Sequence, residues 1–279
     1  MTDQALNTAM QNVPPDLRNH IAKLALDSQK TVLAFPYYST LRFNAALNGT
    51  ASPNAVYTVA SGVRKCFNYR IGDIPGGGAG FSTTFQASKS ETNLLKASET
   101  RDNADVYIWG IALEVRPGSD PWFTKEIWRT GYLELALSGT DQYLLGPFGF
   151  FPSAGGLYGQ DRSNVLSAET QSPVGPLVGH LNNGNPQSSN YFRLPQPILW
   201  QKNGGGKDTS LVISGSIDTA IASNVGPGTV GLGITRAAVA AGSANQQTTA
   251  YVIPADGSVF TDIRVRLMSV SVSDRSTNA

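Results

Sequence analysis

The sequence predicts an all-β fold that follows a short helical segment, and three observations support this class. From residue 31 onward, short apolar stretches alternate with clusters of Gly, Pro, Asn and Ser, as strands alternate with turns. Several stretches alternate apolar and polar residues with the period of two that a half-buried strand requires. The 29 glycines and 16 prolines among 279 residues are more than average and favour many turns.

Residues 1–30 are predicted to form a helical arm. A first helix is indicated by apolar residues at helical spacing, at Leu6, Met10 and Val13. Asp16 is the expected N-cap of a second helix. The apolar face of that second helix comprises Leu17, Ile21, Leu24 and Ala25. The chain therefore divides into an arm, 1–30, and one β domain, 31–279.

About eight strands are predicted in the β domain. They span residues 63–71, 106–115, 131–137, 142–145, 198–201, 210–214, 250–253 and 261–272. In the second of these, the odd-numbered residues from Tyr107 to Val115 are expected to share one face. Trp109 is therefore predicted to lie in the core with Ile111 and Leu113.

The last predicted strand changes phase near its middle. Its apolar residues occupy odd positions between 263 and 267, but even positions at Val270 and Val272. Because side chains alternate strictly along a regular strand, this change predicts a β-bulge near Met268 and Ser269.

Long irregular stretches separate the predicted strands, at 72–104 and 147–193, with a small-residue segment at 220–248. Loops of this length are typical of functional sites or of contacts between subunits. Strands that lie far apart in a helix-poor chain favour a Greek-key barrel, or jelly roll, over a meander.

Composition excludes several classes of protein. Lys and Arg number 21 and Asp and Glu number 20, so a net charge of +1 does not favour strong nucleic-acid binding. A charged fraction of 15% with 41% hydrophobic residues is unlike a disordered chain or a long coiled coil. So little net charge favours association between copies.

Cysteine and histidine are scarce. Cys66 is the only cysteine, so no intrachain disulfide is possible, and its apolar neighbours predict a small buried side chain. One Cys with His20 and His180 does not make the four-ligand set of a structural zinc site. We therefore predict no metal and no cofactor.

No motif marks a nucleotide site or an activated nucleophile. The glycine-rich segment 204–209 lacks the first Gly of a phosphate-binding loop and carries Asp208 where that loop needs Ser or Thr. Segment 74–80 is not placed at a strand-to-helix junction, and no Gly-x-Ser-x-Gly elbow occurs. His20 and His180 are the available bases for a triad, and no nucleophile accompanies them.

Carboxylate and aromatic residues leave a carbohydrate-active alternative open. Glu114 and Glu134 lie on predicted strands, although each falls opposite an apolar face as a surface residue would. Exposed tryptophans would suit sugar stacking, and of Trp109, Trp122, Trp128 and Trp200, it is Trp122 and Trp128 that are expected to be partly exposed. Segment 64–70 interleaves basic and aromatic residues, and we interpret it as a strand with solvated or interface charges.

Neither a signal peptide nor a membrane-spanning segment is expected. Residues 1–4 have no basic and apolar pattern, and no run approaches 18 apolar residues. Lys23 and Lys30 in the arm are the residues expected to face an anionic membrane surface.

Several stretches together resemble a known family. Segment 91–100 (ETNLLKASET) precedes a strand containing 108–111 (IWGI), segment 192–201 (FRLPQPILWQ) leads into 208–213 (DTSLVI), and a long alternating strand ends the chain. This pattern resembles the jelly-roll major capsid proteins of tailless icosahedral bacteriophages, which often have an internal membrane. The resemblance implies a virion protein whose copies form trimers or capsomers, and which contacts other virion proteins.

The sequence thus predicts a viral capsid subunit with no enzymatic activity, no catalytic residue and no specific nucleic-acid partner. About eight strands favour one barrel over two in the chain. The resemblance also implies that the arm reaches a neighbouring subunit or an underlying membrane. Two alternatives remain: a receptor-binding spike or lectin-like module, and a jelly-roll glycoside hydrolase with two carboxylates about 5–10 Å apart.

Overall fold

A computed structural model describes most of the chain. The described residues are 13–27, 30–48, 56–75, 85–100, 104–116, 119, 121–137, 141–152, 162–166, 173–178, 191–201, 210–223 and 259–274. They are mostly β-sheet with few helices, which confirms the all-β class. The helices are α1 (Pro15–Asp27), α2 (Pro121–Thr130) and a short 3-10 helix (Phe148–Phe150), and no described helix is long and apolar enough to cross a membrane.

Thirteen strands lie in the described part of the chain, against about eight expected. They are β1 (Lys30–Ala34), β2 (Tyr37–Asn48), β3 (Val56–Val59), β4 (Gly62–Cys66), β5 (Asp105–Val115), β6 (Gly131–Leu137), β7 (Asp141–Pro147), β8 (Arg162–Leu166), β9 (Pro173–Val178), β10 (Phe192–Trp200), β11 (Leu211–Ile217), β12 (Ile221–Ser223) and β13 (Val259–Asp274).

Two antiparallel sheets contain most of these strands. The first sheet has the order β10-β5-β13-β2-β3-β12, and β1 pairs with the end of β13 that extends past β2. This first sheet curls into a half-barrel. The second sheet has the order β4-β11-β6-β7, and β8 pairs separately with β9.

Eight of the strands form four pairs that are nested in the chain. Taken in sequence order, β2, β4, β5, β6, β7, β10, β11 and β13 pair first with last, second with seventh, third with sixth and fourth with fifth. The nested pairs alternate between the first sheet and the second sheet.

The main core lies between the two sheets, because each sheet turns its alternate apolar side chains toward the other. Leu41 and Phe43 from β2, and Leu133 and Leu135 from β6, are fully buried there. The sheets approach closely at Gly215 of β11, where an added Cβ would lie 2.6 Å from Cδ1 of Leu41. Since real Cβ contacts are not this short, any larger residue at that position would force the buried Leu41 side chain to shift.

The expected bulge is confirmed in position, but the extra residue lies on a different strand. β13 and β5 shift register between Met268 and Ser269, whose partners on β5 are Gly110 and Ile108. β5 therefore advances two residues while β13 advances one, and Trp109 is the additional residue. β10 loses register with β5 at the same place.

This bulge overturns the predicted face of Trp109. Val106 and Ile108 before it, and Ile111 after it, enter the main core, whereas Trp109 lies on the outer side of the first sheet. Trp109 is 5% exposed there because α1 covers it. The prediction of a buried tryptophan is confirmed, but its placement beside Ile111 is wrong.

Helix α1 confirms the second predicted helix of the arm. Val13, Leu17 and Ile21 are buried against Val270 and Trp109 on the outer face of the first sheet. The helix begins at Pro15, so Asp16 lies in the first turn instead of at the N-cap. A carboxylate there is still favourable, because it faces the positive end of the helix dipole. Of the predicted first helix, Leu6 and Met10 lie outside the described residues, and Val13 lies just before α1.

Some elements differ from expectation. Strand β2 was not predicted, because Ser39 and Ala45 weaken the apolar alternation on its buried face. Helix α2 was not predicted either; Pro121 begins it, and Phe123 and Ile127 form its short apolar face. The stretch 147–193 contains β8 and β9, and 220–248 contains β12, so neither is wholly irregular. The predicted strand 250–253 lies outside the described residues.

Candidate functional site

Charged side chains gather on the outer face of the first sheet, on the side of the bulge that α1 does not cover. We call this group the charged cluster; it comprises Arg42, Glu91, Glu114, Arg116, Asp262, Arg264 and Arg266. Five members project from β2, β5 and β13, Arg116 directly follows β5, and Glu91 comes from the segment 85–100. The strands bring these residues together because alternate positions of neighbouring strands share a face.

Asp262 occupies the centre of the charged cluster. Its side chain is 2% exposed and accepts two hydrogen bonds from its cross-strand partner Arg42, at 2.7 and 2.6 Å. The Arg116 guanidinium lies 3.4 Å from the same carboxylate. Backbone contacts lock the arrangement, since the Arg116 N–H donates to the Asp262 carbonyl and Ser119 Oγ accepts from the Asp262 N–H. A buried carboxylate is thus balanced by two arginines.

Glu91 connects the segment 85–100 to the first sheet. Its carboxylate accepts from Arg116 Nη1 at 2.8 Å, from the Ser88 backbone N–H at 2.8 Å and from Ser88 Oγ at 2.7 Å, and also from Ser90 Oγ. Burial by itself would raise the pKa of Glu91, but these hydrogen bonds, including the one from Arg116, outweigh it and lower the pKa to about 2. Glu91 therefore stays ionised near neutral pH, so it has no proton to donate as a general acid.

Glu114 is held by two further arginines. Arg264, its cross-strand partner, places Nη1 3.4 Å from both carboxylate oxygens, and Arg266 lies 3.7 Å away. Arg264 also donates to the Ser90 carbonyl at 2.7 Å and lies over the Tyr38 ring. These contacts again join β13 to the segment 85–100.

The charged cluster holds two parts of the chain together, the first sheet and the segment 85–100. Each of its carboxylates contacts at least one arginine, Arg42 also lies over the Phe260 ring, and Arg264 also binds the Ser90 carbonyl. Within the described ranges, no group of three or more His, Cys, Asp or Glu residues is arranged to hold a metal ion. The cluster therefore fixes a long loop on a sheet.

Glu114 and Glu134 are not brought together. Their neighbours Leu113 and Leu133 are both buried in the core between the sheets, so the two carboxylates point outward from opposite sheets. This geometry does not form the paired site of a glycoside hydrolase.

The other residues singled out by sequence also have defined surroundings. Cys66 is fully buried, as predicted, and burial raises the pKa of its thiol well above the ordinary value. The indoles of Trp109, Trp128 and Trp200 are buried, so these three do not form an exposed stacking platform. The Trp122 side chain is outside the described residues.

Basic and histidine residues are found mainly at the surface. His20 is exposed on α1 with its ring against Tyr107, and Lys23 is exposed on the same helix. In segment 64–70, Lys65 is exposed and Arg70 pairs with Asp73. His180 and the glycine-rich residues 76–80 and 204–206 lie outside the described residues.

Sequence reasoning found only part of the charged cluster. Asp262, Arg264 and Arg266 are visible as the polar face of the last strand. The contribution of Glu91 was missed because it depends on a loop that folds back over the sheet. The pattern Ser-x-Ser-Glu at 88–91 was the available signal, since two hydroxyls beside a carboxylate favour local hydrogen bonding.

Comparison with known proteins gave no match: no family model, curated protein or solved structure is significantly similar to this chain.

Proposed function

We propose that this chain is a capsid subunit whose β domain is a single jelly-roll barrel and whose copies assemble into an icosahedral shell. Its partners would be other copies of itself and other virion proteins, and the virion would be its location. An underlying membrane is the further partner proposed for the N-terminal arm.

The nested pairing of eight strands is the observation that carries this proposal. Pairing of first with last, second with seventh, third with sixth and fourth with fifth is what results when one long antiparallel ribbon is rolled over two sheets. A jelly roll is such a two-sheet, eight-strand arrangement, and it is a common architecture of viral capsid domains and of lectins. The remaining strands would then be additions to the barrel and its loops.

The surface of the second sheet supports association through faces instead of edges. β4 is an edge strand of this sheet, and Arg64 lies on its core-facing side with Cys66. The Arg64 guanidinium donates to the Val63 carbonyl at 3.2 Å and to the Ala60 carbonyl at 3.5 Å. An inward-pointing charge on an edge strand opposes uncontrolled strand addition. Ordered assembly needs this protection, because each copy is at high local concentration.

The charged cluster also fits a coat protein better than a catalyst. A long loop that must present a constant surface to neighbouring subunits benefits from being fixed by Glu91, Arg116 and Asp262. The net charge of +1 leaves little repulsion between copies. Both features favour the capsid proposal over the glycosidase alternative.

Negative-stain electron microscopy of concentrated full-length protein tests the proposal. Closed particles of uniform diameter are the expected result. Isolated small particles at every concentration and ionic strength would contradict a capsid role. A glycan-binding screen on the same sample would then test the lectin-like alternative.

A further inference from the structure

We propose that the outer face of the second sheet is a twofold contact between two copies of this chain, formed by Lys65 of each copy on Glu134 of the other. The inference rests on the proposed self-assembly and names the surface that carries one of its contacts.

The face is defined by the alternation of the three strands β4, β11 and β6. Leu133, Leu135 and Ile213 point into the core, so their neighbours in sequence point outward. The outward residues form two rows across the sheet. Lys65, Ser214 and Glu134 form the first row, and Val63, Ser216 and Tyr132 form the second.

The first row places opposite charges on either side of a small residue. Lys65 is exposed and Glu134 is partly exposed, and among the described residues neither forms an ion pair. Their strands are both neighbours of β11, so two strand spacings, about 10 Å, separate the charged residues within one copy. Each charge is thus available to a group outside its own sheet.

A twofold axis that runs parallel to β11, above Ser214, makes this face complementary to itself. Such a rotation exchanges the β4 side with the β6 side, so Lys65 of each copy meets Glu134 of the other. In the second row, Val63 of each copy, which is 46% exposed, contacts the Tyr132 ring of the other copy. An isologous contact of this kind uses one patch twice and closes on two copies.

Small side chains occupy the centre of the face. Ser214 is 9% exposed and Ser216 is 2% exposed, because other atoms of the chain already cover most of their surface. Two sheets that pack face to face are about 10 Å apart, which small central side chains allow. Tyr132 is also held in place by a hydrogen bond from its hydroxyl to Asp218, at 3.2 Å.

Charge reversal tests the contact. Lys65→Glu and Glu134→Lys are each expected to raise the dissociation constant of the smallest oligomer at least about tenfold, because two attractive contacts become repulsive. The double variant K65E/E134K restores both attractions. An equimolar mixture of the two single variants does so as well, because every contact across a mixed pair joins opposite charges.

The readout is molar mass against concentration, by analytical ultracentrifugation of full-length protein. Arg193→Glu is the matched control, since it makes the same charge change at an exposed residue of β10 in the first sheet. Melting temperatures check that each variant is folded. Should one single variant fold poorly, the uncharged pair Lys65→Gln and Glu134→Gln supplies a milder weakening of the same contact.

The outcomes separate this inference from the proposed function. Weaker association of both single variants, with recovery in the double variant and in the mixture, supports the contact. Wild-type-like association of the single variants overturns the contact and leaves the capsid proposal standing; this is also the result expected if another segment of the chain covers the face. A wild-type protein that stays monomeric overturns both.

Discussion

The outer face of the first sheet has two halves, and β5 and β13 run through both of them. The two halves are stabilised in different ways. On one side of the bulge, α1 buries Trp109, Val270 and Val272 under apolar side chains. On the other side, the segment 85–100 is held by the charged cluster around Asp262. The apolar half is stabilised by the burial of apolar surface away from water. The stability of the charged half depends on each charge keeping its partner.

The bulge at Trp109 separates the halves. One additional residue in β5 turns Trp109 outward and leaves Ile108 and Ile111 in the main core. The bulge thus adds a large apolar side chain to Val270 and Val272 on the outer face, and helix α1 packs on all three.

The largest expected effect is the loss of Trp109. Trp109→Ala should lower the free energy of unfolding by about 3–5 kcal/mol, because it removes the largest side chain beneath α1 and leaves a cavity. Denaturant titration measures the change. Lys23→Ala, on the exposed side of the same helix, is the control and should change stability by less than about 0.5 kcal/mol. A Trp109→Ala protein of full stability would show that the packing of α1 on Trp109 contributes little to the stability of the fold.

The next effect concerns the centre of the charged half. Asp262→Asn should cost about 3 kcal/mol, because Arg42 and Arg116 would remain largely buried without their shared carboxylate. Chemical unfolding at low and high salt measures it. A loss below about 1 kcal/mol would mean that the arginines find other partners, and the charged half would then be less dependent on pairing than we argue.

A smaller and pH-dependent effect is expected at Glu91. Its pKa is lowered to about 2 in the folded protein, so its contribution is fully present above the ordinary glutamate pKa and is lost as pH falls toward 2. Glu91→Gln should therefore be less stable than wild type by about 2 kcal/mol at pH 7. The two proteins should converge in stability as pH falls from about 5 toward 2. Parallel pH curves would contradict the assignment.

The smallest effect is expected at the rim of the charged cluster. Glu114 pairs with Arg264 and Arg266 at 3.4 and 3.7 Å, and these side chains are partly exposed. Glu114→Gln should cost less than about 1 kcal/mol, and added salt should reduce the difference. Thermal unfolding at two salt concentrations measures it. A loss as large as that of Asp262→Asn would show that the rim is as tightly coupled as the centre.

Period-two patterning predicted the strands with the clearest apolar alternation. β6 matches its predicted range, and β5 and β13 match within a few residues at each end. The phase change in β13 located the bulge, but pattern does not reveal which strand of a pair carries the additional residue. Trp109 was therefore assigned to the wrong face.

Contacts between residues far apart in the chain could not be predicted from the local alternation of apolar and polar residues. The polar face of β13 was visible, but Glu91, which shares Arg116 with Asp262, lies 171 positions earlier than Asp262 in the chain. Nothing in the local sequence specifies that the segment 85–100 returns to this sheet. The nested pairing of the eight strands is likewise a property of tertiary structure, and it is the strongest support for the proposed fold.

Molar mass of the purified full-length protein across concentration, measured by light scattering, tests the capsid proposal most directly. The proposal predicts an oligomer that grows into large particles of defined mass as concentration rises. A monomer of 29.6 kDa at every concentration would contradict it.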